Sequence, residues 1–279
     1  MEPPDPLLER VSAALATVPG VIAVALGGSR ATGAAHASSD TDIGLYFSEC
    51  FGLDVERLRN VVRSLVDEPA AAQVTDVGGW GPWIVGGGWL TIGAMKVDLL
   101  YRPIESVERV IGDSLEGRVS MDYQPGHPHG FCSAIWMGEV ALCQPLSDPE
   151  GAIARLKAMT VPYPDPLREA LIRRFHWEVL FSIENAQTAL PKRDETTIAG
   201  CAFRSLACAA QVLFALNRRY LINEKGALAA AARLPLTVSN LAERVKSVWQ
   251  AIGLRAFDAA LTELGSIERE LAGLVAAAR

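Results

Sequence analysis

The chain has 279 residues, of which 50% are hydrophobic and 21% charged. That is enough apolar surface for one large or two medium cores, and it excludes a disordered or collagen-like chain. Five cysteines, with no C-x-x-C pair, exclude a disulfide scaffold and a zinc finger, and fit a reducing compartment. The net charge of −6 lacks the basic footprint of a dedicated nucleic-acid binder, so nucleic acid is not an expected partner.

The N-terminal MEPPDPLLER places acid and proline where a signal peptide needs basic residues and an apolar run. No stretch reaches the roughly 18 apolar residues of a membrane span. The expectation is a cytoplasmic protein with no membrane partner. Val21 to Leu26 is a short apolar run closed by Gly27-Gly28, which predicts a buried strand; Ile43 to Phe47 and Lys96 to Tyr101 read the same way. Between them, Val55, Leu58, Val62 and Leu65 recur at helical spacing behind Asp54, a good N-cap. Strands interleaved with helices predict a sheet backed by helices.

The pattern changes after Gln144. Prolines punctuate residues 145 to 166, and helical periodicity then predicts helices over 166–190, 195–217, 223–233, 238–252 and 255–277. The expected fold class is therefore α+β, with a small mixed β-sheet domain over 1–150 followed by an α-helical bundle domain over 151–279. Charge divides similarly. Residues 1–150 carry 9 Lys/Arg against 20 Asp/Glu, a net −11, and the remainder carries 17 against 12, a net +5. This reads either as two differently solvated surfaces or as two walls of a polyphosphate-binding cleft.

The chemistry concentrates in residues 26 to 47. A strand ending in Gly28-Ser29 allows close backbone approach to a phosphate, and Ser29 adds a hydroxyl donor. After a ten-residue spacer, Asp40 and Asp42 alternate around Thr41, so on a strand both carboxylates share one face. Such a pair suits Mg²⁺, which takes one or two carboxylates together with phosphate oxygens. Asp98, framed by Val97 and Leu99, is a third acid on a strand.

Gly-Ser, the spacer, Asp-x-Asp and a distant strand carboxylate together resemble the nucleotidyltransferase superfamily (DNA polymerase beta-like), and within it the aminoglycoside and lincosamide nucleotidyltransferases. The resemblance covers residues 22 to 101 and extends to a helical second domain. It implies that Gly28 and Ser29 hold nucleotide phosphates and that Asp40, Asp42 and Asp98 are the catalytic and metal-binding triad. Asp98 would be metal ligand, general base, or both. Some relatives carry Glu there. ATP as substrate and Mg²⁺ as cofactor follow, with transfer of AMP to a hydroxyl of a small-molecule acceptor. The superfamily also includes toxin–antitoxin enzymes that modify protein or tRNA, and a non-catalytic nucleotide sensor is the reading from another class.

Outside the triad, Arg30 is a nucleotide contact or a turn cap. Lys225, expected in the first turn of a helix capped by Asn223, sits where a cation opposes the helix dipole, which reads either as a triphosphate contact or as an exposed lysine at a small cost. Arg204 lies on a largely apolar helix and needs either a phosphate or an internal carboxylate. Arg174, Glu178 and Asn185 form a polar stripe that reads as a solvated face or, through Glu178, as an acceptor contact. Trp83 stands with Trp80 and Trp89 among six glycines over 78–89, either covering an acceptor ring or plugging a hairpin end. His127 and His129 flank Pro128 and are too few for a metal alone; the segment reads as a turn, from which one His could line the cleft.

Overall fold

The computed structural model describes residues 5–33 and 39–278. Residues 34–38, the middle of the spacer between Ser29 and Asp40, lie outside the described residues, as does the start of the MEPPDPLLER segment. The fold is α+β. In chain order the elements are α1 (Pro6–Leu15), β1 (Val21–Leu26), α2 (Gly28–Ala31), β2 (Thr41–Phe47), α3 (Val55–Leu65), β3 (Gly87–Ile92), β4 (Met95–Pro103), α4 (Ile104–Leu115), β5 (Met121–Asp122), β6 (Phe131–Cys132), α5 (Ala134–Leu142), β7 (Gln144–Ser147), α6 (Ala152–Met159), α7 (Asp165–Ala189), α8 (Glu195–Leu216), α9 (Ala227–Ala231), α10 (Leu241–Gly253) and α11 (Phe257–Ala277).

Two compact units divide these elements. The first comprises residues 1–113, 120–126 and 130–162, and the second 114–119, 127–129 and 163–279. The division falls after Pro162, not after residue 150. β7 completes the main sheet by pairing antiparallel with β1, and α6, which the proline pattern hides, packs beside α5 and β1 and so carries the first unit past residue 150. Pro145 is tolerated because β7 is an edge strand, where a missing N–H leaves no central ladder broken.

In the first unit a five-stranded mixed sheet runs in the order β3-β4-β2-β1-β7. β2 and β4 are parallel and the remaining neighbours antiparallel. One face is the core: Ile43, Leu45, Val97, Leu99, Tyr101, Leu90 and Ile92 pack against Val11 and Leu15 of α1 and Leu58, Val62 and Leu65 of α3. Those helices start where expected. Asp54 accepts a hydrogen bond from the Arg57 N–H at 2.8 Å, and Asp5 accepts one from Leu7 at 2.9 Å. The alternating residues of β3 and β4, namely Trp89, Thr91, Lys96 and Asp98, stand on the opposite, partly open face.

The second unit is helical. α7 and α8 form its central pair, and Leu167, Phe175, Val179, Ile183, Ile198, Leu206 and Leu213 are among its buried residues. Among the described residues α8 alone is long and apolar enough to cross a membrane, but 61% of that window is buried inside the protein. Its apolarity is explained by this burial. The helix predicted over 223–233 is shorter: α9 begins at Ala227 behind Gly226, because Gly226 adopts a φ of +69° that ends the preceding loop.

Candidate active site

The site is built where β1 ends and β2 and β4 run side by side. In the parallel register Asp42 lies directly opposite Asp98, and Thr41 opposite Val97. Directly paired residues on neighbouring strands share a face. The two carboxylates, 56 residues apart in sequence, are therefore next to each other on the open face of the sheet. Asp40 precedes the first residue of β2 and is exposed, so it approaches the pair from the loop side.

Gly28 closes the third side. Its φ is +60°, and a Cβ placed on it would lie 1.7 Å from Asp42 Oδ2. Only glycine permits this approach of the turn to the carboxylate. The Gly27 N–H donates to the Asp42 carbonyl at 2.8 Å, fixing the turn against β2. Ser29 and Arg30 follow in the four-residue α2, both half-buried. The Arg30 guanidinium donates to the Ser39 carbonyl at 2.8 Å, tying α2 to the chain just before Asp40. Its Nε is buried and, among the described residues, has no hydrogen-bond partner.

Two further residues belong here and escape a motif reading. Arg102 lies on β4 four residues beyond Asp98, hence on the same face, and is 2% exposed. It donates from Nε and Nη2 to the two carboxylate oxygens of Glu139 on α5 at 2.8 and 2.9 Å. Glu139 is the one acid in Ala134–Leu142, an otherwise apolar helix, and that isolation is the signal that could have marked it. The Asp42 carboxyl is pushed up to about 6, first by burial, then by Asp98, Glu139 and Asp40, with Arg102 alone opposing.

This electrostatic excess tests whether a divalent cation suits the residues. Carboxylates crowded beside a half-buried Asp42 are held at a cost that a hard cation would remove. Among the described residues no three His, Cys, Asp or Glu side chains gather closely enough to hold a metal by themselves. A cation at Asp40 and Asp42 would thus take its remaining ligands from a substrate's oxygens or from water. The glycine turn and the half-buried Ser29 hydroxyl beside it suit such an oxyanion.

No protein-family model matches the chain, and no curated protein matches it. Among solved structures, the chain is similar to a nucleotidyltransferase-like protein from Exiguobacterium sibiricum 255-15. The identity is 10% and the TM-score 0.44, over 94% of this chain and 74% of that one.

The remaining predicted site residues fall elsewhere. Trp83 is half-buried: it stacks on Phe131 at 5.2 Å, meets Trp136 edge-on at 5.0 Å, and donates from its indole to Asp122 at 3.1 Å. Arg204 and Glu178 meet each other inside the helical unit. Glu178 is 8% exposed, and its Oε2 accepts from Arg204 Nε and Nη2 at 3.0 and 2.6 Å. The solvated stripe through Glu178 is therefore corrected, because α8 covers that side of α7. Arg204 is itself exposed, and its guanidinium is the partner that the buried Glu178 carboxylate requires. The exposed side of α7 carries Trp177 and Phe181 instead.

Lys225 is exposed, in the loop before α9 and not in a helical first turn, with its N–H bonded to Asn223 Oδ1 at 2.9 Å. The two histidines join the helical unit. His127 pairs with Glu224 at 3.1 Å, and His129, 5% exposed, sits against Phe175 and Phe203 with Nε2 3.9 Å from the Cys208 sulfur. Burial, and secondarily Glu178, hold the Cys208 thiol far above its ordinary range, so it is an inert core thiol.

Proposed function

We propose that the protein is a nucleotidyltransferase that moves a nucleoside monophosphate, AMP from ATP, to a hydroxyl of a small-molecule acceptor and releases pyrophosphate. The observation carrying this reading is the side-by-side placement of Asp42 and Asp98 with the Gly28 turn against the Asp42 carboxylate. A glycine turn, a serine hydroxyl and a neighbouring pair of acids are the parts that phosphoryl transfer needs, since its catalysis is mainly positioning and charge neutralisation.

Asp40 and Asp42 would hold Mg²⁺, which when bound neutralises the triphosphate and polarises the α-phosphorus. Gly28 and Ser29 would receive the phosphate oxygens, with the Arg30 guanidinium beside them. Asp98 would accept the acceptor's hydroxyl proton as the oxygen attacks phosphorus and the bond to pyrophosphate breaks. Arg102, buried, and the half-buried Glu139 to which it is tied would position β4 and moderate the acidity of the pair. The acidic surplus of residues 1–150 favours an acceptor carrying positive charge.

The test is transfer of label from [α-³²P]ATP to a panel of small alcohols, beside calorimetric titration with MgATP. Asp98→Asn keeps the shape and removes basicity, so transfer should fall by about 10²–10⁴ while MgATP binding survives. Asp42→Asn should lose both. Undiminished transfer by Asp98→Asn, or MgATP binding that is indifferent to a chelator, would sink the reading.

A further inference from the structure

The sheet extends the row of site residues by one strand. Trp89 on β3 pairs in antiparallel register with Asp98, just as Asp98 pairs with Asp42. Paired positions share a face, so Trp89, Asp98 and Asp42 stand in line across three strands. The Gly28 turn touches Asp42, at one end of this line, and Trp89 occupies the other. An exposed tryptophan here is unusual: 71% of its surface meets solvent on a strand whose neighbours Leu90 and Ile92 are buried.

It is also held in place. Trp80 stacks on Trp89 with ring centroids 4.7 Å apart and planes 23° apart. A Cβ at Gly87 would lie 2.9 Å from the Trp80 ring, so the glycine leaves room for that ring over the sheet. Buried Gln124 clamps the loop, donating to the Trp80 carbonyl at 2.9 Å and accepting from the Trp83 and Ile84 N–H groups at 3.1 and 3.3 Å. Trp83 is anchored by Phe131, Trp136 and Asp122. The aromatic loop is therefore preorganised, with Trp83 as its root and Trp89 as its free surface.

We infer that Trp89, backed by Trp80, is the acceptor's ring platform: a cationic, ring-bearing alcohol lays one ring face on Trp89 and presents its hydroxyl to Asp98. This rests on the transferase reading above. The position of Trp89 beyond Asp98, on the side away from the phosphate turn, assigns it to the acceptor and not to the nucleotide. Its proximity in register to two carboxylates adds the preference for positive charge, since a cation is attracted both by the indole face and by the acids. Trp89 sets specificity and takes no part in proton transfer.

The test uses wild type, Trp89→Ala and Trp89→Phe with a non-hydrolysable MgATP analogue. Amino-substituted and neutral cyclitols and methyl glycosides, with sorbitol as the open-chain control, are titrated by ligand-observed NMR. Label transfer to the same probes is measured in parallel. At least one cationic ring probe should bind wild type better than sorbitol. Trp89→Ala should weaken it by about tenfold or more, whereas Trp89→Phe stays within about threefold. Where transfer is seen, Trp89→Ala should raise KM and spare kcat. Binding that depends on Trp89 without transfer by any protein would overturn the transferase reading and leave the platform standing. Ring-probe affinity unchanged in Trp89→Ala, no preference for rings, or an equal loss of nucleotide-analogue affinity would overturn the platform itself.

Discussion

Asp42 should destabilise the fold it serves. Its carboxyl has a folded pKa of about 6 against 3.8 for the unfolded chain. A raised carboxylate pKa means that the folded state binds the proton more tightly. The cost is therefore absent well below 3.8, grows as the pH rises from 3.8 to 6, and is constant above. At about 1.36 kcal/mol per pKa unit it reaches about 3 kcal/mol at pH 8, and about 1 kcal/mol is already present at pH 4.5. Asp42→Asn keeps the shape and deletes the charge. Urea unfolding of both proteins at pH 4.5 and pH 8, with chelator, gives the stability difference at each pH. That difference should shift by about 2 kcal/mol in favour of the asparagine variant on going to pH 8. Asp67, Asp194, Glu105, Glu224 and Glu270 have lowered pKa values and weaken both proteins alike as the pH falls, so they cancel. No shift, or a shift favouring wild type, would refute the electrostatic account of the site.

Glu139→Gln strips the buried Arg102 of its bidentate counter-ion and should cost about 3–5 kcal/mol in chemical denaturation; a cost below about 1 kcal/mol would mean that water or another acid replaces it. The β3–β4 hairpin that sets Trp89 opposite Asp98 turns through Gly93 and Ala94, with Ala94 at φ +62°. Ala94→Gly removes a left-handed penalty of roughly 1–2 kcal/mol against about 0.4–1 kcal/mol of added unfolded-chain entropy. A small gain in Tm is expected, and a loss would contradict the turn geometry.

What the sequence determined by itself was local. The apolar run Val21 to Leu26 and its closing glycines, the alternation around Asp42 and Asp98, the capped helix behind Asp54 and the long helices beyond Pro166 follow from periodicity, φ preference and capping. Each acts within a few residues, so each is legible along the chain. Only the tertiary structure decided which strands became neighbours. Parallel pairing of β2 with β4 puts Asp42 beside Asp98, and hairpin register adds Trp89 to the same row. A one-residue slip would send any of these side chains to the other face. Motif spacing carries no record of that choice. The same holds for β7, whose Pro145 looks like part of a linker until β1 offers it an edge. It holds also for Arg204: either a phosphate or a carboxylate could face it, and the packing of α8 against α7 set its exposed guanidinium against the buried Glu178 carboxylate. Burial creates the need for a partner, and long-range topology selects which partner fills it.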